Sequence, residues 1–335
     1  MVARMKDIAR DLGISLMTVS KALRNHRDIS AETRKRVLKR AQQLDYQPNW
    51  VARSLVTGRT YMVGLIIPDL MHSFFAEVAK GVARMLEPRG YNLIISASEE
   101  SAGLETREIA ALLARNVDGL IIASAQKDGR WLRRNVRARR IPCVLIDRAL
   151  PSLDACYIGV DDVEIGALAT RHLIEQGCRR IAHIRGPAVS TARGRLRGYR
   201  RTLIEHGLKA PPEYVVSGRH QDSTGYEAMR HLLRLNPPPD GVFCYNDPVA
   251  AGAIKAVFEA GLRVPNDVAV IGAGNVHYSD LLRTPLSTVD QGSSAIGETA
   301  AELIMQYMEA KTPCRPQSIL IPVRLVVRES SQRRC

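Results

Sequence analysis

A short run of apolar, hydroxyl and ammonium side chains near the start of the chain has residue types and spacing suited to noncovalent recognition. Ser15 is a residue type that caps helix N-termini, so we predict that a helix begins at Leu16. Leu16, Met17, Thr18 and Lys21 then fall on the start and outer face of that helix. Apolar groups contact the thymine methyl group, whereas hydroxyl and ammonium groups bond to base edges and phosphates. The chemistry that this run predicts is contact with DNA.

Residue patterns typical of catalysis are missing from the sequence. It contains no GxSxG, HExxH or GxxxxGK[ST] motif. Asp69, His72 and Ser73 lie close together, but neighbours on one loop rarely meet the geometry of a catalytic triad. Gly272 and Gly274 belong to GAGNVH, which lacks the third glycine of a dinucleotide-binding motif. We therefore predict that the protein is not an enzyme, with no catalytic residue and no cofactor.

The cysteines and the hydropathy pattern exclude several other classes of protein. The six cysteines form no CxxC pair, so we expect reduced, inert thiols and no metal site. No run of 18 apolar residues is present, and the first 30 residues lack the apolar segment of a signal peptide. We expect a cytoplasmic protein with no membrane partner.

The net charge is strongly positive and unevenly distributed. The chain carries a net charge of +14, with an isoelectric point near 9.8. Residues 1–60 hold 13 Lys and Arg against 5 Asp and Glu, a net charge of +8, whereas the other 275 residues hold 35 against 29, a net charge of +6. A polyanionic partner that contacts the N-terminal fifth of the chain is the simplest interpretation.

Three predicted helices position the N-terminal side chains. The first helix has an apolar face made by Met5, Ile8, Ala9 and Leu12. Gly13 stands at the sharp turn before a second helix over residues 16–23. Ser30 caps a third helix over residues 31–44, and Pro48 prevents its continuation. This pattern is typical of a helix-turn-helix unit, followed by a linker that is too short to be a stable helix alone.

From residue 62 onward, short β-branched runs alternate with helical stretches. We predict strands over 62–67, 92–97, 119–122, 143–146, 181–184, 241–245, 268–271, 318–321 and 324–327. We predict helices over 74–86, 103–113, 130–137, 164–176, 193–206, 225–235, 249–260 and 295–308. The alternation restarts near residue 160, which indicates two α/β lobes with parallel sheets flanked by helices, and a ligand cleft at the strand carboxyl ends. The polar tail over residues 329–335 is expected to fray.

The ordered motifs resemble the lactose-repressor/galactose-repressor (LacI/GalR) family of transcriptional regulators. They include KDIARDLGIS, TVSKALRN, SAETRKRVLKRAQQLDYQPN, VARSL, VGLIIPD, RLRGY, YNDPVAAGA and VPNDVAVIG. The resemblance covers nearly the whole chain. It implies an all-α helix-turn-helix domain over residues 1–47, a hinge helix over 48–60, and a two-lobed, periplasmic-binding-protein-like core over 61–335 that binds an effector and dimerises.

The resemblance assigns DNA contacts residue by residue. The base-contacting positions are Leu16, Met17 and Lys21. The phosphate-contacting positions are Ser15, Thr18, Ser20, Asn25, Ser30 and Thr33. Hinge residues Asn49, Ala52 and Leu55 would enter the minor groove, where Leu55 is the wedge that opens a base step. For Leu16 and Met17, the alternative is inward packing; for Ser30, it is helix capping.

The same resemblance implies an effector site and two departures from the family pattern. The implied ligands are Asp69, Ser73, Phe74, Asp147, Thr191, Arg195, His220, Asn246, Asn275 and Gln291. Asp247, beside Asn246, is predicted to cap a helix. Gly274 replaces an aspartate that grips a sugar hydroxyl in many relatives, and His220 replaces a stacking aromatic residue. Asn275 or His277 would compensate for the missing carboxylate, or the ligand differs.

The resulting functional hypothesis is a repressor that binds double-stranded DNA at a pseudo-palindromic operator as a homodimer. The resemblance also implies that the protein is bacterial and associated with the nucleoid. A small effector between the lobes, a sugar or related metabolite, would switch operator affinity. Two alternatives are a corepressor-dependent regulator of nucleotide or other metabolism, and an exported type of solute-binding protein without a regulatory role.

Overall fold

The computed structural model describes residues 3–23, 25–47, 54, 57–150, 153, 155–218, 222–310 and 315–333. The chain divides into two compact units, Met1–Thr60 and Tyr61–Cys335, called the N-terminal unit and the core. The predicted hinge residues Asn49, Ala52 and Leu55, together with the predicted ligand His220, lie outside the described residues. No described helix is long and apolar enough to cross a membrane.

The N-terminal unit contains the three predicted helices. They are Met5–Leu12 (α1), Leu16–Leu23 (α2) and Ala31–Gln43 (α3). Gly13 ends α1 in the left-handed conformation, with a φ of 63°, where a residue without a Cβ is least strained. Ser30 caps α3 by accepting a hydrogen bond from the Thr33 backbone N–H. The buried residues are Ile8, Ala9, Val19, Ala22, Val37 and Ala41.

The core contains two six-stranded sheets, as the predicted fold class requires. Sheet A has the order β11-β5-β4-β3-β1-β2 and is parallel throughout. Its strands are Met62–Ile67 (β1), Asn92–Ala97 (β2), Gly119–Ile122 (β3), Cys143–Ile146 (β4), Cys156–Gly159 (β5) and Ser318–Leu320 (β11). Five of the six residues of β1 are buried, which is typical of a parallel sheet covered on both faces.

Sheet B has the order β12-β10-β9-β8-β6-β7, with β12 antiparallel to β10. Its strands are Ile181–Arg185 (β6), Val215–Ser217 (β7), Gly241–Cys244 (β8), Ala269–Gly274 (β9), Ser287–Asp290 (β10) and Arg324–Val326 (β12). Strands β5, β7 and β10 were not among the predicted elements. Their sequences, CYIG, VVS and STVD, lack the three successive aliphatic residues that mark β3 and β4, which are strands of similar length.

Helices cover both faces of each sheet. They are Ser73–Leu86 (α4), Ala102–Ala114 (α5), Arg130–Asn135 (α6), Asp162–Glu175 (α7), Ser190–Glu205 (α8), Asp222–Leu232 (α9), Asp247–Glu259 (α10) and Ser293–Glu309 (α11). Sheet A with α4, α5, α6 and α11 forms the N-lobe, and sheet B with α7 to α10 forms the C-lobe. Helices α7 and α8 approach so closely that a Cβ at Gly166 or Gly198 would collide with the facing backbone.

The prediction that the C-terminal tail frays is wrong for residues 329–333. The Ser330 side chain accepts a hydrogen bond from the Ser287 backbone N–H at 2.8 Å. The Ser331 hydroxyl lies 2.6 Å from Nε2 of buried His172, and the Arg333 guanidinium donates to the Asp240 carbonyl at 2.6 Å. The tail is ordered because its polar side chains satisfy buried groups of the C-lobe, which the polar composition alone does not reveal.

Candidate DNA-contact surface and effector cleft

The predicted base-contacting residues of α2 are accessible. Leu16 is 50% exposed and Met17 is 64% exposed, so the alternative of inward packing does not hold. Val19 and Ala22 occupy the buried face of the same helix. The Lys21 ammonium group lies 3.1 Å from an Asp28 carboxylate oxygen, and this hydrogen bond lowers the pKa of Asp28. An exposed pair of this kind is weak, so it leaves Lys21 able to exchange Asp28 for another partner.

Two hydroxyl pairs mark the N-termini of α2 and α3. Ser15 accepts a hydrogen bond from the Thr18 backbone N–H at 3.0 Å, and the two side-chain oxygens lie 2.8 Å apart. Ser30 and Thr33 repeat this arrangement at α3. Helix N-termini carry unpaired N–H groups and partial positive charge, which favour phosphate. Capping and a phosphate contact are therefore compatible at these positions.

The remaining predicted phosphate contacts lie on the surface of the same unit. Asn25 is exposed and adopts a left-handed backbone with a φ of 55° in the turn after α2. Ser20 is half-buried. Arg34 donates to the carbonyls of His26 and Ile29, so its guanidinium holds the loop before α3 in place.

The core contains a small cavity between the carboxyl ends of the strands of the two lobes. Its volume is about 30 Å³. It is lined by Asp69, His72, Phe74, Phe75, Glu100, Asp147, Arg148, Arg195, Tyr245, Asn246 and Gln291. Six of the ten predicted effector residues are in this set: Asp69, Phe74, Asp147, Arg195, Asn246 and Gln291. A space of this size holds on the order of one or two water molecules, so a sugar-sized ligand requires the lobes or side chains to move apart.

Arg195 is the most fully bonded side chain of the cleft. It is buried, and its guanidinium donates to Asp162 at 3.0 Å, to the Tyr245 carbonyl at 2.6 Å and to Gln291 Oε1 at 2.8 Å. Burial raises the pKa of Asp162 to about 6, although the neighbouring Arg195 works in the opposite direction. This cluster belongs to the C-lobe, apart from Gln291, which follows β10 where the chain crosses towards the N-lobe.

A second ion cluster lies on the N-lobe side of the cleft. Arg148 donates to both carboxylate oxygens of Glu100, at 2.7 and 2.5 Å, in the two-pronged geometry that suits a guanidinium. Its Nε lies 3.5 Å from an Asp147 oxygen. Burial raises the pKa of Asp147. Asp147 has a φ of 59°, in the left-handed region that few residues other than glycine adopt and that aspartate tolerates better than most.

Two helix-capping side chains meet across the cleft. Asn246 caps α10 by accepting from the Val249 backbone N–H at 3.0 Å, and His72 caps α4 through Nδ1, which accepts from Phe74 N–H at 3.3 Å. The Asn246 amide nitrogen lies 2.9 Å from His72 Nε2. The lobes also touch where the Ala149 N–H donates to Ser190 Oγ at 3.1 Å. These contacts join the two lobes at the effector cleft, so the relative position of the lobes depends on residues of the cleft.

Three predicted effector residues do not line the cavity. Ser73 is half-buried in the first turn of α4, and Thr191 is buried with its hydroxyl 2.8 Å from that of Tyr245, which it positions. Asn275 donates to Asp290 at 3.3 Å and accepts from Arg328 at 2.8 Å, so both ends of its amide are engaged away from the cavity. The Asn275 side chain therefore does not replace, in the cavity, the carboxylate that is missing at position 274.

The predicted capping role of Asp247 is wrong, because Asn246 is the N-cap of α10. Asp247 is fully buried and accepts hydrogen bonds from Thr288 Oγ1 at 2.6 Å, Ser279 Oγ at 2.7 Å and the Val276 N–H at 3.1 Å. It holds the loop after β9. A Cβ at Gly274 would lie 3.5 Å from its carboxylate, and the φ of 142° at Gly274 disfavours any other residue there.

Five lining residues were not predicted as effector ligands: His72, Phe75, Glu100, Arg148 and Tyr245. Four of them adjoin a predicted ligand in the sequence or lie within three residues of one, so extending each predicted site along its loop would have found them. Glu100 follows β2, a strand for which no ligand was predicted. The feature that could have identified Glu100 is its position after the carboxyl end of a strand in a parallel sheet, where ligands bind.

Comparison with known proteins agrees with this architecture. Residues 4–49 match the family described as bacterial regulatory proteins, lacI family, and residues 170–331 match a periplasmic binding protein-like domain. The chain is 33% identical to the HTH-type transcriptional repressor PurR of Pasteurella multocida (strain Pm70) over 99% of this chain and 100% of the relative. It is also 33% identical to the ribose operon repressor of Escherichia coli (strain K12), over 96% and 98% of the two chains.

Among solved structures, the lac repressor dimer bound to operator and the anti-inducer ONPF matches with a TM-score of 0.87 and 25% identity over 99% of both chains. The chain therefore belongs to the lacI family of bacterial regulatory proteins. It is a DNA-binding transcriptional repressor of that family with a periplasmic-binding-protein-like effector domain. Because its relatives are transcriptional repressors, the prediction that it is not an enzyme is confirmed.

Proposed function

We propose that the protein represses transcription by binding a pseudo-palindromic operator as a homodimer, and that a small effector in the cleft changes its affinity for that operator. In this proposal, residues 1–47 contact the major groove, 48–60 form the hinge with Asn49, Ala52 and Leu55 in the minor groove, and 61–335 bind the effector and dimerise. The exposure of Leu16 and Met17 at the start of α2 is the observation that carries the DNA-binding part of the proposal.

Base selection by α2 rests largely on apolar contact. Leu16 and Met17 cannot form two-pronged hydrogen bonds with guanine or adenine, but they suit the thymine methyl group. Lys21 adds one donor that exchanges Asp28 for a base acceptor or phosphate. Ser15, Thr18, Ser20, Asn25, Ser30 and Thr33 fix the register of the helix on the duplex.

The effector proposed for the cleft is a carbohydrate or related metabolite. The cavity lining combines carboxylates, guanidinium groups and amides, which match the donors and acceptors of a polyhydroxylated ligand. Because the cavity is small, effector binding requires rearrangement at the interface between the lobes. An effector that binds one arrangement of the lobes more tightly than the other shifts the protein towards that arrangement. Operator affinity then changes with the populations of the two arrangements.

The DNA-binding proposal is tested by selecting duplexes from a random pool with the full-length protein. We expect an inverted repeat that is rich in thymine at the positions facing Leu16 and Met17. A pool in which no inverted repeat is enriched would contradict binding as a dimer. This experiment needs no knowledge of the effector.

The effector proposal is tested by measuring thermal unfolding with sugars, sugar acids, nucleobases and nucleosides. We expect one class to raise the melting temperature and to change the Kd for the selected operator by more than about fivefold, a coupling of about 1 kcal/mol. A stabilising compound that leaves operator affinity unchanged would contradict regulation through the cleft. The Gln291→Ala variant should reduce the response, since Gln291 lines the cavity.

The position of Phe74 and Phe75 favours a second candidate function, regulation by a planar nucleobase acting as corepressor. The two rings are in edge contact, with centroids 5.1 Å apart, and both line the cavity. An aromatic wall suits stacking against a planar ring. In the experiment above, this function predicts that a nucleobase strengthens operator binding, whereas a sugar acting as inducer weakens it. We propose a cytoplasmic location, at the DNA, for either function.

A further inference from the structure

The amino ends of four neighbouring strands of sheet A form an edge with several exposed arginines. We define this amino edge as Tyr61 and the turns that lead into β2, β3 and β4, over residues 87–91, 115–118 and 137–142. The strand order β4-β3-β1-β2 places these turns side by side. Four exposed guanidinium groups lie on these turns, those of Arg89, Arg115, Arg139 and Arg140.

These four guanidinium groups are not neutralised within the described part of the chain. Arg89 contacts the Met305 sulfur at 3.1 Å, and Arg115 donates to the Ala111 carbonyl of its own helix at 2.9 Å. No described carboxylate lies in an ion pair with any of the four. The edge also contains exposed Glu87, and Asp118, which accepts a hydrogen bond from the Tyr61 N–H at 2.7 Å.

The corresponding edge of sheet B differs in how its arginines are used. Arg180 lies 3.6 Å from an Asp240 carboxylate oxygen, and Arg263 lies 3.0 Å from Asp267. Arg333 donates to the carbonyls of Pro265 and Asp240. The two edges have similar topology, but Arg180 and Arg263 of the sheet B edge are paired with carboxylates, whereas none of the four arginines of the sheet A edge is paired with a described carboxylate.

The dimensions and composition of the amino edge of sheet A suit a phosphate backbone. Four strands at a spacing of about 4.8 Å span about 14 Å. This length corresponds to about four base pairs at 3.4 Å each along one DNA strand. None of the large apolar side chains that are exposed in the described chain belongs to this edge. A protein partner would require apolar anchors, whereas phosphate requires only well-placed cations.

We propose that the amino edge of sheet A is a second DNA-contact surface, which holds phosphates beside the operator through Arg89, Arg115, Arg139 and Arg140 without reading sequence. The connection of the chain supports this location, since Tyr61, at this edge, directly follows the unit that contains the helix-turn-helix. Tyr61 is fixed there because its carbonyl accepts from the Asn92 N–H at 2.8 Å. The inference rests on the proposed function, because it presumes that the protein binds an operator.

The test compares two duplexes and two charge-matched variants of the full-length protein. The short duplex ends at the site recovered by selection, and the long duplex adds random flanks of several helical turns. The edge variant carries R89Q, R115Q, R139Q and R140Q. The control variant carries R193Q, R197Q, R200Q and R201Q, which removes four exposed charges from α8 of the C-lobe. Thermal unfolding of both variants establishes that they are folded.

We expect the edge variant to bind the long duplex about tenfold more weakly than the unmodified protein at about 50 mM KCl, and the short duplex within twofold. The plot of log K against log[KCl] for the long duplex should become shallower by about 0.9 for each phosphate that the edge variant no longer neutralises. The control variant should match the unmodified protein on both duplexes.

Two results would overturn the inference. Equal weakening of long-duplex binding by the two variants would show a general effect of charge. Unchanged binding of the long duplex by the edge variant would show that the edge does not contact DNA and would favour another partner, such as an acidic protein. Both results are distinct from failure of the proposed function, in which the unmodified protein would not prefer the short selected duplex over random DNA.

Discussion

The N-terminal unit and the core differ in what they bury. Among its described residues, the N-terminal unit buries six aliphatic side chains and no charged or polar one. The core buries charged groups that include Asp147, Arg148, Arg195 and Asp247. In the N-terminal unit, surface polar groups such as those of the Lys21–Asp28 pair change partners at low cost. In the core, the groups that would bind the effector also hold the fold together, so recognition and stability depend on the same bonds.

The largest effect that this difference predicts is at Arg195. The side chains of Arg195 and Asp162 are only 3% and 12% exposed, so replacing Arg195 with methionine leaves an unpaired buried carboxylate. We expect Arg195→Met to lower the free energy of unfolding of the core by about 3–5 kcal/mol. Urea denaturation followed by circular dichroism measures this change.

The double variant Arg195→Met with Asp162→Asn is the matched control. Removing the charge of Asp162 should recover a large part of the lost stability, because the main penalty is the unpaired carboxylate. It should not restore effector binding, since the guanidinium bonded to Gln291 is gone. If the single variant lost less than about 1 kcal/mol, the view that the cleft stabilises the core would be wrong.

The next effect is a pH dependence that a buried histidine of the core produces. His183 is fully buried, stacked on Phe243 with ring centroids 4.6 Å apart, and bonded through Nδ1 to the Phe243 carbonyl at 2.9 Å. Burial lowers the pKa of His183 to about 4. The unfolded chain therefore takes up a proton near pH 6.5, before the folded chain does. Stability is lost as the pH falls from 6.5 towards 4, by up to about 3 kcal/mol in total.

A His183→Phe variant isolates this contribution. The raised pKa of Asp162, about 6, acts in the opposite direction, because its folded form takes up a proton first and gains stability as the pH falls. Asp162 is present in both proteins, so the difference in unfolding free energy between them reports His183 alone. A difference that stays constant between pH 7 and pH 4 would contradict the assignment.

The sequence was sufficient for the elements whose pattern is local. Strand β1 is a run of β-branched and aliphatic residues, and α3 has both a capping serine and a periodic apolar face. These features predict the helix-turn-helix unit and the alternation of strands and helices. Strands β5, β7 and β10 lack three successive aliphatic residues, and they form because neighbouring strands pair with them.

The partners within the cleft could not be predicted because they are distant in the sequence. Arg148 bonds to Glu100 across 48 positions, and Arg195 bonds to Gln291 across 96. Only the order of the strands brings these residues together. The same limit explains Asn275, whose position in the sequence suits the cleft but whose amide is occupied by Asp290 and Arg328.

The smallest effect on stability is expected at Met17, where a substitution should have a specific effect on base recognition. Met17 is 64% exposed, so Met17→Gln should change the free energy of unfolding by less than about 0.5 kcal/mol. Glutamine, however, can form two hydrogen bonds with adenine in the major groove, with a discrimination of about 1–3 kcal/mol. Repeating the duplex selection with this variant should therefore replace thymine by adenine at one position of each half-site.

Met17→Leu is the control, because it keeps an apolar side chain at the same position and should leave the selected sequence unchanged. An unaltered consensus in the glutamine variant would mean that Met17 does not face a base, and that Leu16 and Lys21 read the half-site without it. A changed consensus with unchanged stability would instead separate recognition from folding at this residue. An exposed helix face allows recognition and folding to be separated in this way. They cannot be separated at Arg195, because its guanidinium donates to three acceptors within the core.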